Sequence, residues 1–353
     1  MKPGVVTGSD YKELVAACKA GKYALPAVNI SGTNTINAVL EAAAAAKSDV
    51  IIQMSNGGAG FLAGKGMANS HDAMVMGAVA GAQHVHLLAE HYGVCVVLHT
   101  DHANRKLVPW IDSLIEQNAK FHAANGKPLF SSHMLDLSEE PIVDNIDTCV
   151  EYLKKLDALS ISLEIELGVT GGEEDGVGSD DLSDQSKLYT TPEDVWYAYE
   201  KLEGLGHFSV AAAFGNVHGV YKPGNVTLQP KILKDCQDHV ETKLSNGEKN
   251  PCDFVFHGGS GSDESDIKEA IGYGVFKMNI DTDTQFAFSS GIYSYMKKTP
   301  NAFEHQIDPE TGKPSKSIYD PRKVLRAGEE NMAERLQEAF EVLGSKGNAI
   351  ANA

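Results

Sequence analysis

The sequence predicts an α/β protein, a closed (β/α)₈ barrel with an extra N-terminal helix and a C-terminal helical extension. Short β-rich apolar runs alternate with longer helical patterns, which is typical of parallel βαβ units. Eight such strands can be counted, and a barrel of this kind needs about 250 residues, fewer than the 353 present. Polar residues recur where the predicted strands end, as on the active face of a TIM barrel. An open doubly wound sheet is the alternative.

The eight predicted strands are short apolar runs. They span Ala24–Asn29, Val50–Met54, Val94–His99, Leu129–His133, Ile161–Leu167, Phe208–Phe214, Asp253–His257 and Val275–Ile280. The helical patterns between them include Asn34–Ala46, Val75–Tyr92, Pro192–Leu202 and Asp263–Gly272. Further helices are predicted near Ser9–Ala20 and Pro321–Leu343, and long loops over Gly168–Lys187 and Pro300–Ser317. We expect a single domain over residues 1–353, because no change of composition marks a linker.

The charge and apolar composition of the chain argue against some classes of binding partner. The 48 acidic residues outnumber the 30 basic ones, for a formal net charge of −18, which argues against nucleic acid and against a membrane surface as partners. No apolar run approaches the roughly 18 residues of a membrane span, and the start of the chain lacks the apolar stretch of a secretory signal. The five cysteines form no Cys-x-x-Cys motif. We therefore expect reduced thiols in a cytoplasmic protein.

Three histidines each end a predicted strand. His102 closes the segment Val96–His102, while His218 and His257 are each followed by glycine. Together they supply three nitrogen ligands from three strands, the pattern of a catalytic zinc with one open position. For this segment alone, a pair of structural histidines, His99 and His102, hydrogen-bonded to Asp101 is about as good an explanation. The histidines within helical patterns, such as His84, His86, His91 and His122, are expected to be structural.

Glycine-rich and acidic segments at other strand ends suggest a phosphate pocket and proton-transfer groups. Gly258–Gly261 lies between a strand and a helix, where backbone N–H groups can hold phosphate, and Asn279–Thr282 can complete the same pocket. Glu164 and Glu166 share one face of a strand, where inward carboxylates are costly unless paired or metal-bound. Glu173 and Glu174 follow in a glycine-flanked loop; a solvated loop is the simpler explanation, but beside a metal either residue can transfer a proton.

These motifs together resemble the class II, metal-dependent fructose-bisphosphate aldolases of the longer-chain subgroup. The resemblance runs from about Pro3 to the C-terminal helix. Its most specific segments are Val97–Ala103, Leu163–Gly168 with Gly171–Glu174, Phe130–Met134, Gly215–Gly219 and Val275–Asp281. It implies reversible cleavage of fructose 1,6-bisphosphate to dihydroxyacetone phosphate and glyceraldehyde 3-phosphate, in glycolysis and gluconeogenesis.

The resemblance also implies a metal site. His102, His218 and His257 correspond to the zinc ligands of the family. Glu166 corresponds to an acidic residue that can hold the metal in an alternative position. Asp136 corresponds to a nearby carboxylate with a structural role or a role at a second divalent metal position.

Proton-transfer roles are implied in the same way. Asp101 corresponds to the acid/base that acts on the C4 hydroxyl of the substrate. Glu174 corresponds to the group that moves the proton at the carbon next to the carbonyl. Asn279 corresponds to a residue that hydrogen-bonds the enediolate.

The implied substrate pocket is shared between subunits. Asn29 and Ser55, which end the first two strands, are expected to line it. The phosphate and substrate pocket of the family corresponds to Gly219, Gly258, Ser260, Asp281 and Thr282. A monovalent cation, Na⁺ or K⁺, is implied near backbone carbonyls of Val217, Gly219 and Gly258. Arg326 resembles an arginine that grips the second phosphate across a homodimer interface.

Four alternative functions compete with this one. Lys277 could be the nucleophile of a Schiff-base aldolase, but that leaves three strand-end histidines unexplained. A zinc hydrolase on the same barrel lacks its usual His-x-His strand motif, and a non-catalytic binding protein predicts no metal. An aldolase for tagatose bisphosphate differs only in the configuration of the substrate at C4, so the sequence does not separate it from the fructose enzyme.

Overall fold

A computed structural model describes residues 1–174, 177–179, 189–218 and 228–351; of residues 171–174, 177–179 and 218 only the backbone is described. Eight parallel strands form the centre. They are β2 (Leu25–Asn29), β3 (Val50–Met54), β4 (Cys95–Thr100), β5 (Ser132–Leu135), β6 (Ser162–Leu167), β9 (Phe208–Ala212), β11 (Phe254–Phe256) and β12 (Val275–Ile280). A two-residue strand, β1 (Gly4–Val5), is added outside β4.

The eight central strands close on themselves. Neighbouring strands pair in the order β2, β3, β4, β5, β6, β9, β11 and β12, and β12 pairs back onto β2. The closing register sets Asn279 opposite Ala27 and Ile280 opposite Val28. The closed barrel predicted from the sequence is therefore confirmed, and the open sheet is excluded. Every predicted strand is present, with bounds that differ by a few residues at most.

Helices surround the barrel. They are α1 (Ser9–Gly21), α2 (Thr33–Ala46), α3 (Asn56–Leu62), α4 (Ser70–Tyr92), α5 (Val108–Asn125), α6 (Ile142–Asp157), α7 (Pro192–Leu202), α8 (Lys231–Leu244), α9 (Glu264–Gly272), α10 (Thr282–Lys298), α11 (Asn301–Glu304), α12 (Lys316–Tyr319) and α13 (Pro321–Val342). The C-terminal helix α13 packs on α10 and α2. In the described part of the chain, no helix is both long and apolar enough to cross a membrane.

The N-terminal helix closes one mouth of the barrel. Side chains of α1, among them Tyr11 and Leu14, form an apolar cluster with residues at the start of the strands, such as Leu25 and Cys95. The ring of Tyr11 also meets that of His207, just before β9, edge-on at 5.3 Å. Because apolar side chains fill this end, the polar groups of the barrel lie toward the opposite rim, which is formed by the carboxyl ends of the strands.

A second, small sheet lies beyond that rim. It is made of β7 (Gly171–Glu174), β8 (Val177–Ser179) and β10 (Val217–His218), with β7 at its centre. The predicted loop Gly168–Lys187 therefore contains strands in its described part, and the rest lies outside the described residues. The parallel pairing of β10 with β7 sets the backbone of His218 opposite Gly172. The second predicted loop, Pro300–Ser317, contains α11 and a bridge between Ile307 and Pro314.

Candidate active site

Asp101 lies fully buried at the carboxyl end of β4. Its Oδ2 accepts hydrogen bonds from Asn29 at 3.0 Å and from Gln53 at 2.8 Å, and its Oδ1 lies 3.4 Å from the amide nitrogen of Asn279. Burial alone would raise the pKa of this carboxyl, but electrostatic interaction with His102 and Lys277, with the hydrogen bond from Asn29, lowers the pKa to about 2. Asp101 is thus held as a fixed anion that can accept a proton.

Two of the predicted zinc ligands meet beside Asp101. The rings of His102 and His257 lie 4.7 Å apart. Donor atoms of Asp101, His102 and His257 all fall within 4.8 Å of one another, as do those of His102, Asp136 and Glu166. Imidazole nitrogens and carboxylate oxygens are the ligands that zinc takes in catalytic sites. The donor set therefore fits zinc.

Both predicted acidic ligands face these histidines. Glu166 Oε2 lies 3.7 Å from Nδ1 of His102 and 3.7 Å from Nδ1 of His257. Asp136 Oδ2 lies 3.3 Å from Nδ1 of His102. Burial opposes ionisation of Asp136, but the hydrogen bonds from His102 and Ser138 outweigh it and lower its pKa. Two groups of possible metal ligands, Asp101 with His257 and Asp136 with Glu166, therefore share the imidazole of His102.

A buried ion pair supports the site from inside the barrel. The ammonium of Lys277 lies 2.9 and 2.8 Å from the two carboxylate oxygens of Glu164. Oε1 of that carboxylate is also 2.8 Å from Nε2 of His257. The side chains of Lys277 and Glu164 are each 2% exposed. An ammonium paired in this way is not the uncharged amine that attacks a carbonyl, so the structure speaks against the Schiff-base alternative.

The expected phosphate pocket lies at the ends of β11 and β12. Gly258 follows His257 with a φ of 61°, a left-handed conformation that glycine adopts without steric cost. Ser260 is buried close by, and Asp281 precedes the first residue of α10, Thr282. The N-terminus of a long helix offers N–H groups to an anion.

Asn29, Ser55 and Asp281 line one cavity of about 340 Å³. Ser55 caps α3 by accepting a hydrogen bond of 3.1 Å from the backbone N–H of Gly58. Lys65 is the only cationic side chain that lines this cavity among the described residues. The structure therefore brings together three residues that the sequence placed in the substrate pocket.

Arg326 is engaged within its own chain. Its Nη1 lies 2.8 Å from both carboxylate oxygens of Glu41 and 3.0 Å from Glu329, and its Nε lies 3.1 Å from Glu330. The bonds to Glu41 and Glu329 raise the pKa of Arg326 further. A phosphate bound by Arg326 would have to compete with these carboxylates.

Some predicted residues cannot be placed. Gly219 lies outside the described residues, and so do the side chains of His218 and Glu174. Val217 is described as part of β10. The functional roles of these residues stay predictions.

Gln53 is a polar site residue that the sequence reasoning missed. It donates hydrogen bonds to Asn29 at 2.6 Å and to Asp101 at 2.8 Å, and so links the first three barrel strands at the rim. The sequence alone could have indicated it, since Gln53 is the one polar side chain in the apolar strand Val50–Met54. Asn216, by contrast, lies in the segment Gly215–Gly219 that the sequence singled out, and it donates a hydrogen bond of 3.0 Å to the backbone carbonyl of His257.

Known proteins resemble the chain over nearly its full length. The profile of the family described as fructose-bisphosphate aldolase class-II matches residues 9–348. A fructose-bisphosphate aldolase of Campylobacter jejuni is 58% identical over 346 residues, 97% of each chain. A fructose-bisphosphate aldolase class 2 of Escherichia coli is 53% identical over 350 residues, 98% of this chain and 97% of that one.

A solved structure agrees with these sequences. The crystal structure of a fructose-bisphosphate aldolase from Campylobacter jejuni superposes with a TM-score of 0.90 at 55% identity, covering 100% of this chain and 98% of the other. The sequence-based expectation of family and enzyme class is confirmed, and the hydrolase and binding-protein alternatives are excluded. The chain belongs to the class II fructose-bisphosphate aldolases, a family of lyases.

Proposed function

We propose that the protein catalyses the reversible aldol cleavage of fructose 1,6-bisphosphate to dihydroxyacetone phosphate and glyceraldehyde 3-phosphate, in glycolysis and gluconeogenesis. One observation carries the proposal: a fixed anionic carboxylate, Asp101, lies within 4.8 Å of the donor atoms of His102 and His257. Cleavage needs a base for the C4 hydroxyl proton, which Asp101 can be, and stabilisation of negative charge next to a carbonyl, which a metal held by the histidines would supply.

The metal site would be formed by His102, His218 and His257, with Glu166 and Asp136 as alternative ligands. When bound, zinc supplies Lewis-acid stabilisation of the negative charge that develops beside the carbonyl. Asp101 takes the proton of the C4 hydroxyl as the carbon–carbon bond breaks, and Glu174 returns a proton to the carbon next to the carbonyl. Asn279, on the same rim, donates a hydrogen bond to the developing oxyanion.

The two phosphates would occupy adjoining parts of the rim, because β12 pairs with β2 and Asp281 lines the same cavity as Asn29 and Ser55. One is held by Gly219, Gly258, Ser260, Asp281 and Thr282, mainly through backbone N–H groups. The second lies near Asn29 and Ser55, in the cavity of about 340 Å³, with Arg326 of a second subunit as its cation. A monovalent cation, Na⁺ or K⁺, is proposed at backbone carbonyls of Val217, Gly219 and Gly258.

A cytoplasmic homodimer is part of the proposal. Phe286 and Tyr293 lie seven residues apart on α10, which puts them on one helix face, and they are 74% and 63% exposed. Phe61 of α3, 56% exposed, lines the same cavity as Gln285 and Phe288 of α10. Exposed aromatic side chains on one face of α10, with another on α3, fit a contact with a second copy of the chain. The five cysteines are all buried and free, which suits a reducing compartment.

The test is an aldol cleavage assay on fructose 1,6-bisphosphate and tagatose 1,6-bisphosphate, before and after chelation. We expect cleavage of the fructose substrate, loss of activity with chelator and recovery with zinc. His102→Ala should abolish both zinc binding and activity. His84→Ala is the matched control, because His84 lies on α4 and bonds Asn37 at 2.9 Å. Full activity without metal, or preference for tagatose 1,6-bisphosphate, would contradict the proposal.

A further inference from the structure

In the described part of the barrel interior there is a buried ion pair to which the proposed reaction gives no proton transfer and no contact with substrate. Lys277 lies on β12 and Glu164 on β6, two strands that are not neighbours in the barrel, and 113 residues separate them in the chain. Both side chains are almost completely excluded from water. A buried ion pair is seldom a net gain in stability over apolar side chains of the same volume, because both ions lose their hydration. Its position beside a zinc ligand suggests another role.

The contact with His257 is specific to one ring nitrogen. Nε2 of His257 lies 2.8 Å from Oε1 of Glu164, whereas Nδ1 points toward Glu166 and the ring of His102. A carboxylate can only accept a hydrogen bond, so the proton of a neutral imidazole must reside on Nε2. The lone pair is then on Nδ1, the nitrogen that faces the group of metal donors.

Lys277 stabilises the carboxylate of Glu164 that accepts the hydrogen bond from His257. Its ammonium contacts both oxygens, so the carboxylate has a partner for its charge and stays an acceptor although it is buried. A second imidazole, His99, stands 3.5 Å from Oε2 and is itself bonded to Ser132 at 2.7 Å. The carboxylate is thus held from several directions, and its orientation toward His257 is determined by the barrel interior.

We propose that Glu164 and Lys277 form a positioning pair that fixes the tautomer and orientation of His257 and thereby raises the affinity of the site for zinc. The proposal rests on the proposed function, which makes His257 a zinc ligand. Neither residue touches substrate or metal; both act through the imidazole. Partners of this kind change metal affinity by about 10- to 100-fold when they are removed.

The chain contains a matched control at the other end of the barrel. Lys19, Asp253 and His207 repeat the same three groups: the ammonium lies 2.5 Å from Oδ1 of Asp253, and Nε2 of His207 lies 2.9 Å from Oδ2. Asp253 and His207 stand immediately before β11 and β9, at the closed mouth. Disrupting this array perturbs a similar ion pair and leaves the zinc site alone.

The decisive variant is Glu164→Met combined with Lys277→Met, which removes both charges while keeping the volume filled. We expect its zinc Kd, measured by competition with a chromophoric chelator, to rise about 10- to 100-fold while the protein stays folded. Lys19→Met combined with Asp253→Leu should leave the zinc Kd within about twofold of the original. A zinc Kd unchanged in the first double variant would overturn the proposal.

A second readout needs no metal. In the zinc-free protein labelled with ¹⁵N-histidine, long-range ¹H–¹⁵N spectra should show His257 with its proton on Nε2, and Glu164→Gln should give a mixture of tautomers. This measurement decides the matter if the double variant does not fold; a tautomer unaltered by Glu164→Gln contradicts the proposal. This measurement also tests the positioning pair separately from the proposed function. Failure of zinc to bind the original protein would count against the proposed function, whereas the tautomer of His257 is measured without zinc.

Discussion

The side-chain amide nitrogen of Asn29 lies 3.0 Å from Oδ2 of Asp101, although the two residues are 72 positions apart in the chain. They meet because β2 and β4 flank β3 and all three strands end at the same rim. Gln53 of the middle strand donates to the same oxygen at 2.8 Å. Asp101 is therefore held in place by its own barrel before any substrate binds.

This fixed position leads to the first prediction. Asp101→Asn should lower the rate of cleavage by about 10²- to 10⁴-fold, the range for loss of a general base, with zinc content unchanged. Exchange of the dihydroxyacetone phosphate proton with solvent should continue, since that half-reaction does not involve the C4 hydroxyl. Deuterium exchange followed by NMR, beside the cleavage assay, checks both outcomes.

Glu174→Gln is the companion variant. It should lose the exchange reaction together with overall turnover, because Glu174 is proposed to move the proton at that carbon. If Glu174→Gln exchanges normally and Asp101→Asn does not, with zinc retained in both, the two roles are reversed.

The second prediction concerns Lys277. Its ammonium is 2% exposed and paired with both oxygens of Glu164, so it should form no imine. Treatment with borohydride and dihydroxyacetone phosphate should leave the mass of the protein unchanged, whereas a lysine-dependent aldolase run in parallel should gain a covalent adduct. An adduct on the peptide that contains Lys277 would disprove this.

The third prediction tests whether the site is shared between subunits. His218→Ala alone should be inactive and Arg326→Ala alone should be strongly impaired at low substrate concentration, but mixed dimers should recover activity, because each hybrid carries one site with both residues intact. Native mass spectrometry would establish that heterodimers form. Heterodimers without activity would contradict a shared site.

Arg322→Ala belongs in the same experiment. The Arg322 side chain is 90% exposed and pairs with Asp320, whereas Arg326 already binds three carboxylates of its own chain. If Arg326 grips the phosphate, Arg326→Ala should raise KM for fructose 1,6-bisphosphate more than Arg322→Ala does. The reverse order would transfer the role to Arg322.

The fold could be predicted because each barrel element has a local signature. Val50–Met54 and Val275–Ile280 are apolar runs of strand length between helical patterns, and their predicted bounds match the structure. The strands β7 and β8 had no such signature, since Gly171–Glu174 is made of glycine and glutamate. Their pairing depends on partners elsewhere in the chain.

The sequence predicts those site residues that follow the end of a barrel strand. His257 follows β11 directly and His102 lies two residues after β4, at the strand ends where a barrel gathers its functional groups. The pairing of Glu164 with Lys277 was not accessible, because it depends on which strands face each other across the barrel and on the inward direction of both side chains. Lys277 considered alone suggested a nucleophile; only its contact with Glu164 shows a charge that is already paired.

The last prediction concerns stability and His133, which is fully buried on β5. Its Nδ1 lies 2.7 Å from the hydroxyl of Thr100 and its Nε2 lies 2.9 Å from the amide nitrogen of Asn118. The Asn118 amide is oriented by its own bonds, since its oxygen accepts from the N–H of Phe130 and its nitrogen donates to the carbonyl of Leu114. Nε2 of His133 must therefore accept, and a proton there would face another donor.

Burial lowers the pKa of His133 from 6.5 to about 3. The unfolded chain then binds a proton more readily than the folded one, so this residue's contribution to stability is complete above pH 6.5 and is lost as the pH falls toward 3. Between pH 6.5 and 5 the loss from this one group amounts to about 2 kcal/mol. His133→Gln removes the titrating ring, so its stability deficit relative to the original protein should be about 2 kcal/mol smaller at pH 5 than at pH 7. Urea unfolding of both zinc-free proteins at the two pH values measures this difference, with His91→Gln, an exposed position on α4, as the control whose deficit should not change; a deficit of His133→Gln that is equal at both pH values would refute the prediction.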